Sequence, residues 1–100
     1  MFAEVPERLV RDMGCTPADL VRWMPAAIGN KPLRWLESGC EVVLGEGRSV
    51  RFGWQVLAPR RIALMRIERL QLEMVFSGCD AETRHSFLAQ FDAYTRRGGG

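Results

Sequence analysis

Residues 48–76 read RSVRFGWQVLAPRRIALMRIERLQLEMVF, and this stretch decides the fold. Hydrophobic side chains recur at every second position in both of its halves, at 50, 52, 54 and 56 and again at 70, 72, 74 and 76. Successive side chains of a β-strand point to opposite faces. The period of two therefore predicts strands with one face on a core and the other in water.

The middle of the stretch does not keep this phase. The composition of residues 58–60, Ala-Pro-Arg, is typical of a turn, and between positions 61 and 69 Arg66 and Glu68 fall on the inward positions. Either two strands meet at a turn near Ile67 and Glu68, or one long strand bends there at a bulge. We expect the two-strand arrangement.

Strands are also predicted before this stretch. Leu33 and Trp35 alternate with Arg34, and a second alternation covers residues 40–44. The glycines of residues 45–47, Gly-Glu-Gly, suit a tight hairpin into the next strand. Together these segments predict an antiparallel meander of four to five strands.

Helices are predicted at both ends of the chain. Pro6 and the spacing of Leu9, Val10 and Met13 indicate a first helix over residues 6–13. Thr16, followed by a proline and by an acid three residues after the cap, indicates a second helix, which Pro25 bends or ends. A third helix is predicted after an Asp80 N-cap, with an apolar stripe that packs on the sheet: Phe87, Leu88, Phe91 and Tyr94.

The expected fold is therefore a single α+β domain over residues 1–97, with two N-terminal helices, the meander and a C-terminal amphipathic helix. Residues 98–100 are expected to form a flexible glycine tail. A chain of 100 residues is long enough to form one hydrophobic core but too short for two domains with separate cores. No window approaches the about 20 apolar residues of a membrane span, and the N-terminus does not resemble a signal peptide, so we expect a cytoplasmic protein without a membrane partner.

The three cysteines and the single histidine raise the possibility of a zinc site, because zinc takes four such ligands. Cys15, Cys40 and Cys79 are too far apart in sequence for the paired spacing that is usual in zinc sites. As a catalytic base, His85 would need a nucleophile that faces it, and the nearest in sequence is its neighbour Ser86. Neighbours on a helix do not face each other. We therefore expect no cofactor, no metal and no catalysis, although an enzyme pocket lined by tryptophan stays an alternative, with three candidates: Trp23, Trp35 and Trp54.

Six arginines fall within residues 40–76 against four acids, while the segments on either side are balanced. They are expected on the outer sheet face and its turns: Arg48, Arg51, Arg60, Arg61, Arg66 and Arg69. The planar guanidinium group suits carboxylate and phosphate partners. Single-strand binders, however, interleave exposed aromatic side chains with such charges, and Phe52 alternates to the opposite face.

Two further resemblances are short. Residues 8–23 are similar to a helix-turn-helix, but the second helix carries few polar side chains for base edges, and a helical hairpin on the sheet is the alternative. Residues 96–100, Arg-Arg-Gly-Gly-Gly, resemble the C-terminal diglycine of ubiquitin-like and sulfur-carrier proteins, whose tail follows a β-grasp strand. Here the tail follows a predicted helix, and a flexible tail is the alternative.

The sequence thus predicts a fold more sharply than a function. We expect a small, non-catalytic intracellular accessory or interaction domain with a protein partner. The alternative is nucleic-acid or anion binding through the arginine-bearing sheet face, which would make the affinity fall steeply with salt. Neither the partner nor the oligomeric state follows from the sequence.

Overall fold

A computed structural model describes residues 4–96 as five strands and two helices. The strands are β1 (Arg8–Met13), β2 (Leu33–Leu36), β3 (Gly39–Gly45), β4 (Arg48–Ile62) and β5 (Met65–Ser77), and the helices are α1 (Pro17–Ala27) and α2 (Ala81–Thr95). All strand pairs are antiparallel, in the order β1-β5-β4-β3-β2. The predicted α+β class, the antiparallel sheet and the C-terminal helix are confirmed.

The core lies between one face of the sheet and the two helices. The alternating residues of β4 and β5 supply most of the sheet side, with Phe52 1% exposed and Leu72 fully buried. The ring of Phe52 lies 6.0 Å from that of Phe87 and 5.3 Å from that of Phe91, both on α2. Each such side chain contributes roughly 1.5–3 kcal/mol by leaving water. The prediction fails at Val56, which is 61% exposed because it lies beyond the last residue of β4 that pairs with β3.

The prediction of two N-terminal helices is wrong, because Arg8–Met13 forms strand β1 rather than a helix. This strand pairs with β5 from Arg8 opposite Val75 to Met13 opposite Leu70. Leu9 and Met13 share a face in a strand as well as in a helix, so their spacing did not distinguish the two. The strand forms because it satisfies the backbone hydrogen bonds along an edge of β5 that would otherwise have no partner.

Helix α1 begins where its signals predicted. The Thr16 side chain accepts a hydrogen bond from the backbone N–H of Asp19 at 3.1 Å, and the Asp19 carboxylate accepts one from the N–H of Thr16 at 3.2 Å. This is a capping box with aspartate in the third position. Pro25 does not end the helix, which continues to Ala27.

The long hairpin of β4 and β5 turns at a different place from the one predicted. Residues 58–60 are not a turn, and β5 runs through Ile67 and Glu68 without interruption. The chain reverses at Ala63 and Leu64, with Ala63 at a φ of 53°. The register shifts between Leu57 and Arg60 of β4, so the irregularity near Pro59 is a bulge. A residue without an N–H is tolerated there because a bulge interrupts the ladder.

Helix α2 begins at its predicted N-cap, since the Asp80 carboxylate accepts a hydrogen bond from the N–H of Thr83 at 2.8 Å. Gly78 precedes it with a φ of 68°, and a Cβ there would lie 2.0 Å from the Gly47 carbonyl oxygen. Only glycine fits this close approach between two turns. The predicted glycine tail lies outside the described residues.

Candidate partner-binding surface

The structure separates the six arginines of the predicted surface. Arg51 lies in the middle of the outer sheet face, on β4. Arg48 lies at the start of the same strand, with its guanidinium group over Gly45. The remaining four lie at or beyond the end of the sheet: Arg60, Arg61, Arg66 and Arg69.

Ion pairs balance much of the charge on the outer sheet face. Arg8 Nε lies 2.6 Å from Glu73 Oε2, and Arg34 Nη2 lies 3.1 Å from Glu41 Oε1. Arg51 stands opposite Glu41 in the register. Exposed pairs of this kind contribute only about 0–1 kcal/mol to stability, but they remove the excess positive charge. The outer face is therefore of mixed charge rather than a basic stripe.

The end of the β4–β5 hairpin extends past every other strand. Pairing with β1 stops at Leu70 of β5, and pairing with β3 stops at Gly53 of β4. We call residues 58–68 the arm. It is a two-stranded ribbon at one end of a molecule whose longest dimension is 47 Å. None of its side chains belongs to the hydrophobic core.

Arg69 fixes the base of the arm. Its Nη1 donates to the carbonyl oxygen of Ala58 in the bulge at 3.2 Å, and its Nη2 donates to Asp12 Oδ2 of β1 at 2.8 Å. The buried Nε of Arg69 has no hydrogen-bond partner among residues 4–96. Ile67 packs nearby, 3.7 Å from the place where a Cβ of Gly14 would be. Arg69 therefore positions the arm and has little of its side chain left for a partner.

The tip of the arm is apolar and exposed. Leu64 has a relative exposure of 104%, Met65 is 64% exposed and Ile62 is 52% exposed. Large apolar side chains that cluster on a surface commonly mark a contact site. The arm therefore has the composition of an interaction element.

The two faces of the arm differ. Ile62 lies opposite Met65, and Arg61 lies opposite Arg66. Since neighbouring cross-strand pairs point to opposite faces, one face is apolar at its end and the other carries two arginines. Like charges directly opposite each other are unfavourable. Within residues 4–96 only Arg66 of this pair forms an ion pair, with its Nε 3.1 Å from Glu68 Oε1.

The sequence contained a signal for the arm that the prediction did not use. Arg66 and Glu68 interrupt the inward alternation, a break that a turn or a bend also explains. A charged residue on an inward position also indicates that the strand has left the core. Pro59 was a second signal, since proline in a strand marks an edge or a bulge.

At the opposite end of the molecule, a recess of about 390 Å³ lies between helix α2 and the end of β3. Phe87 and Leu44 supply its apolar surface, and Asp80 and Glu82 lie on its rim with Lys31. Its remaining lining residues are polar: Thr83, Ser86 and Gln90.

The cysteines and the histidine do not form a metal site in the described part of the chain, where no three His, Cys, Asp or Glu side chains gather to hold an ion. Cys15 and Cys40 are buried, and burial raises the pKa of their thiols to about 11 and about 12. Trp35 is 46% exposed on the edge strand β2. Neither helix of residues 4–96 has the length and apolarity needed to cross a membrane.

No family model, no curated protein and no solved structure matches this chain. Its function must therefore be inferred from its own surfaces. The arm, the balanced outer face and the recess are the features on which that inference depends.

Proposed function

We propose that this chain is a small, non-catalytic module that binds a protein partner through its arm. The observation that carries the proposal is the exposed apolar tip, with Leu64 wholly in solvent and Ile62 and Met65 more than half exposed. Moving one such side chain into a partner's pocket is favourable by roughly 1.5–3 kcal/mol. Three neighbouring anchors on a projecting ribbon can thus supply the centre of an interface.

Recognition by side chains suits the arm better than strand addition does. The edge of β4 that β3 leaves unpaired carries Pro59 and the bulge between Leu57 and Arg60. Proline and bulges are the devices that prevent another strand from pairing with an edge. A partner therefore meets the faces and the tip of the ribbon.

The buried thiols support the non-catalytic part of the proposal. The thiolate is the nucleophilic form of cysteine, and the raised pKa values of Cys15 and Cys40 keep both in the thiol form at neutral pH. These two side chains belong to the hydrophobic core. Their chemistry is that of small apolar residues.

Site-specific photocrosslinking tests the proposal. With p-benzoylphenylalanine at position 64, we expect a discrete protein adduct, which is lost when Ile62→Ser and Met65→Ser are added. The matched control carries the crosslinker at position 93, an exposed site on α2, and should give no such adduct. Failure to form an adduct at any of positions 62, 64 and 65 in the folded protein would contradict the proposal.

A second candidate function is nucleic-acid binding by the same arm. Its support is the Arg61 and Arg66 cross-strand pair together with Arg60, which gives the arm three arginines against Glu68 and a net charge of +2. Two-stranded ribbons fit the major groove, and minor-groove binders combine arginine with apolar wedges.

Salt dependence tests this second candidate. If three arginines meet phosphates, the logarithm of the binding constant should fall with the logarithm of salt concentration with a slope of about −3. The combined change Arg60→Gln, Arg61→Gln and Arg66→Gln should abolish binding, whereas Arg22→Gln on α1 should not. No binding to mixed DNA and RNA at low salt would exclude this function.

A further inference from the structure

The recess exists because β3 extends past its edge partner. Strand β2 begins at Leu33, opposite Val42, so Leu44 lies beyond the last pair between the two strands. Across from Leu44, the first two turns of α2 bring Phe87 to the floor. The volume of about 390 Å³ is within the range of sites that hold a small ligand or a side chain.

The rim of the recess favours a basic occupant. Asp80 and Glu82 lie there with Lys31, but the Asp80 carboxylate already caps α2 and is influenced by both Arg48 and Arg84, so Glu82 is the carboxylate left for an occupant. Glu82 is exposed and forms no ion pair within residues 4–96. A cationic group of an occupant could form an ion pair with Glu82 at the rim.

The arm cannot reach the recess of its own molecule. Strand β5 begins at Met65 in the arm and ends at Ser77, three residues before Asp80 on the rim. Thirteen residues of strand span about 40 Å. The tip and the recess therefore lie at opposite ends of the molecule, and only another copy can bring them together.

We propose that the arm binds a second copy of this chain, with Leu64 of one molecule entering the recess against Phe87 of the next. Arg61, on the face of the arm opposite to Ile62 and Met65, then lies near the Glu82 carboxylate. This proposal rests on the proposed function, in which the arm is the contact element. It adds the identity of the partner, which is a second copy of the chain.

This contact is head-to-tail. After two molecules bind, the complex still has one free arm and one free recess, so association continues into rings or open chains. A leucine and one arginine form a contact much smaller than the about 1,200 Å² of a stable complex. Association is therefore weak, grows with protein concentration and is reduced by salt.

Complementation between two variants tests the arrangement by sedimentation velocity. Leu64→Ser removes the anchor but leaves the recess intact, and Ser86→Arg fills the recess with a repelling charge but leaves the arm intact. Each variant alone should sediment as a monomer. An equimolar mixture should form a one-to-one dimer, because the intact arm of the Ser86→Arg chain fits the intact recess of the Leu64→Ser chain.

The control is Ala89→Arg, which adds the same charge at an exposed position of α2 that does not line the recess. It should associate as the wild-type chain does. A wild-type chain that stays monomeric at all concentrations, or a mixture that stays monomeric, overturns the inference. If position 64 then still crosslinks to another protein, the proposed function stands and only the identity of the partner is wrong.

Discussion

At the scale of single residues, Arg84 is the most consequential polar side chain in the described structure. Although it is 8% exposed, it donates from Nε to the Val5 carbonyl at 2.7 Å and from Nη1 to the Cys79 carbonyl at 2.5 Å. Its Nη2 donates to Glu4 Oε1 at 3.1 Å. One guanidinium group thus joins the segment before β1 to the start of α2.

Replacement of Arg84 should therefore destabilise the fold strongly. We expect Arg84→Met to lower the free energy of unfolding by about 2–4 kcal/mol, since it leaves two carbonyl groups without donors. Arg84→Lys should retain only part of the stability that Arg84 contributes, because an ammonium group cannot reach all of the same acceptors. Urea denaturation measures both, and Arg22→Met is the exposed control. Equal losses for Arg84→Met and Arg22→Met would show that the bonds are not stabilising.

The capping box at α1 predicts a pH dependence. The hydrogen bond from the Thr16 backbone N–H, with smaller effects of the Thr16 side chain and Arg22, lowers the pKa of the Asp19 carboxyl from its ordinary value of 3.8. A carboxyl with a depressed folded pKa stabilises the fold above its unfolded pKa and loses this effect as the pH falls through the folded one. The stability difference between wild type and Asp19→Asn should thus be present at pH 7 and shrink below pH 3.8. An NMR titration that places the Asp19 pKa at or above 3.8 would contradict this.

At the scale of elements, the turn of the arm is under local strain. Ala63 adopts a φ of 53°, a left-handed conformation that costs a residue with a Cβ about 1–2 kcal/mol. Ala63→Gly should remove this cost and slow amide hydrogen exchange within the arm. Ala93→Gly, in the exposed part of α2, should instead destabilise its helix by about 1 kcal/mol. Faster exchange in the arm of the Ala63→Gly variant would contradict the assignment of the turn.

The arm as a whole should be separable from the fold. Replacing residues 58–68 by Asn-Gly joins Leu57 to Arg69, which already lie opposite each other, through a two-residue turn of favoured composition. Because the core lies elsewhere, we expect the free energy of unfolding to change by less than about 1 kcal/mol while binding through the arm is lost. Circular dichroism and urea denaturation measure this. Loss of cooperative unfolding would show that the arm is structural instead.

At the scale of the whole molecule, the Phe52 contact with the two phenylalanines of α2 holds the sheet and the helix together. Phe52→Ala should cost about 3–5 kcal/mol, a large part of the about 5–15 kcal/mol available to a domain. Val43→Ala on the outer face, where Val43 is 47% exposed, should cost far less. The midpoints of urea denaturation compare the two. Similar losses would mean that the core does not lie where the structure places it.

The failed predictions share a cause, which is that local patterns do not reveal which strand edge or core surface they meet. Leu9 and Met13 fit either a helix or a strand, and the free edge of β5 decided for the strand. The change of phase around Arg66 fits either a turn or a bend, but in the structure it marks the place where β5 extends beyond the core as part of the arm. The candidate site could not be found from six arginines alone, because Arg51 and Arg69 differ in role only through their neighbours.

The sequence by itself determined the class of the fold, the alternating strands, the caps at Thr16 and Asp80 and the helix that covers the sheet. These features depend on residues near one another in the chain, so local physical chemistry specifies them. Only the tertiary structure decided that β1 is a strand, that the hairpin projects as an arm and that its tip lies far from the recess beside α2. Those outcomes depend on which distant segments meet, and pairing over more than 50 residues leaves no local pattern.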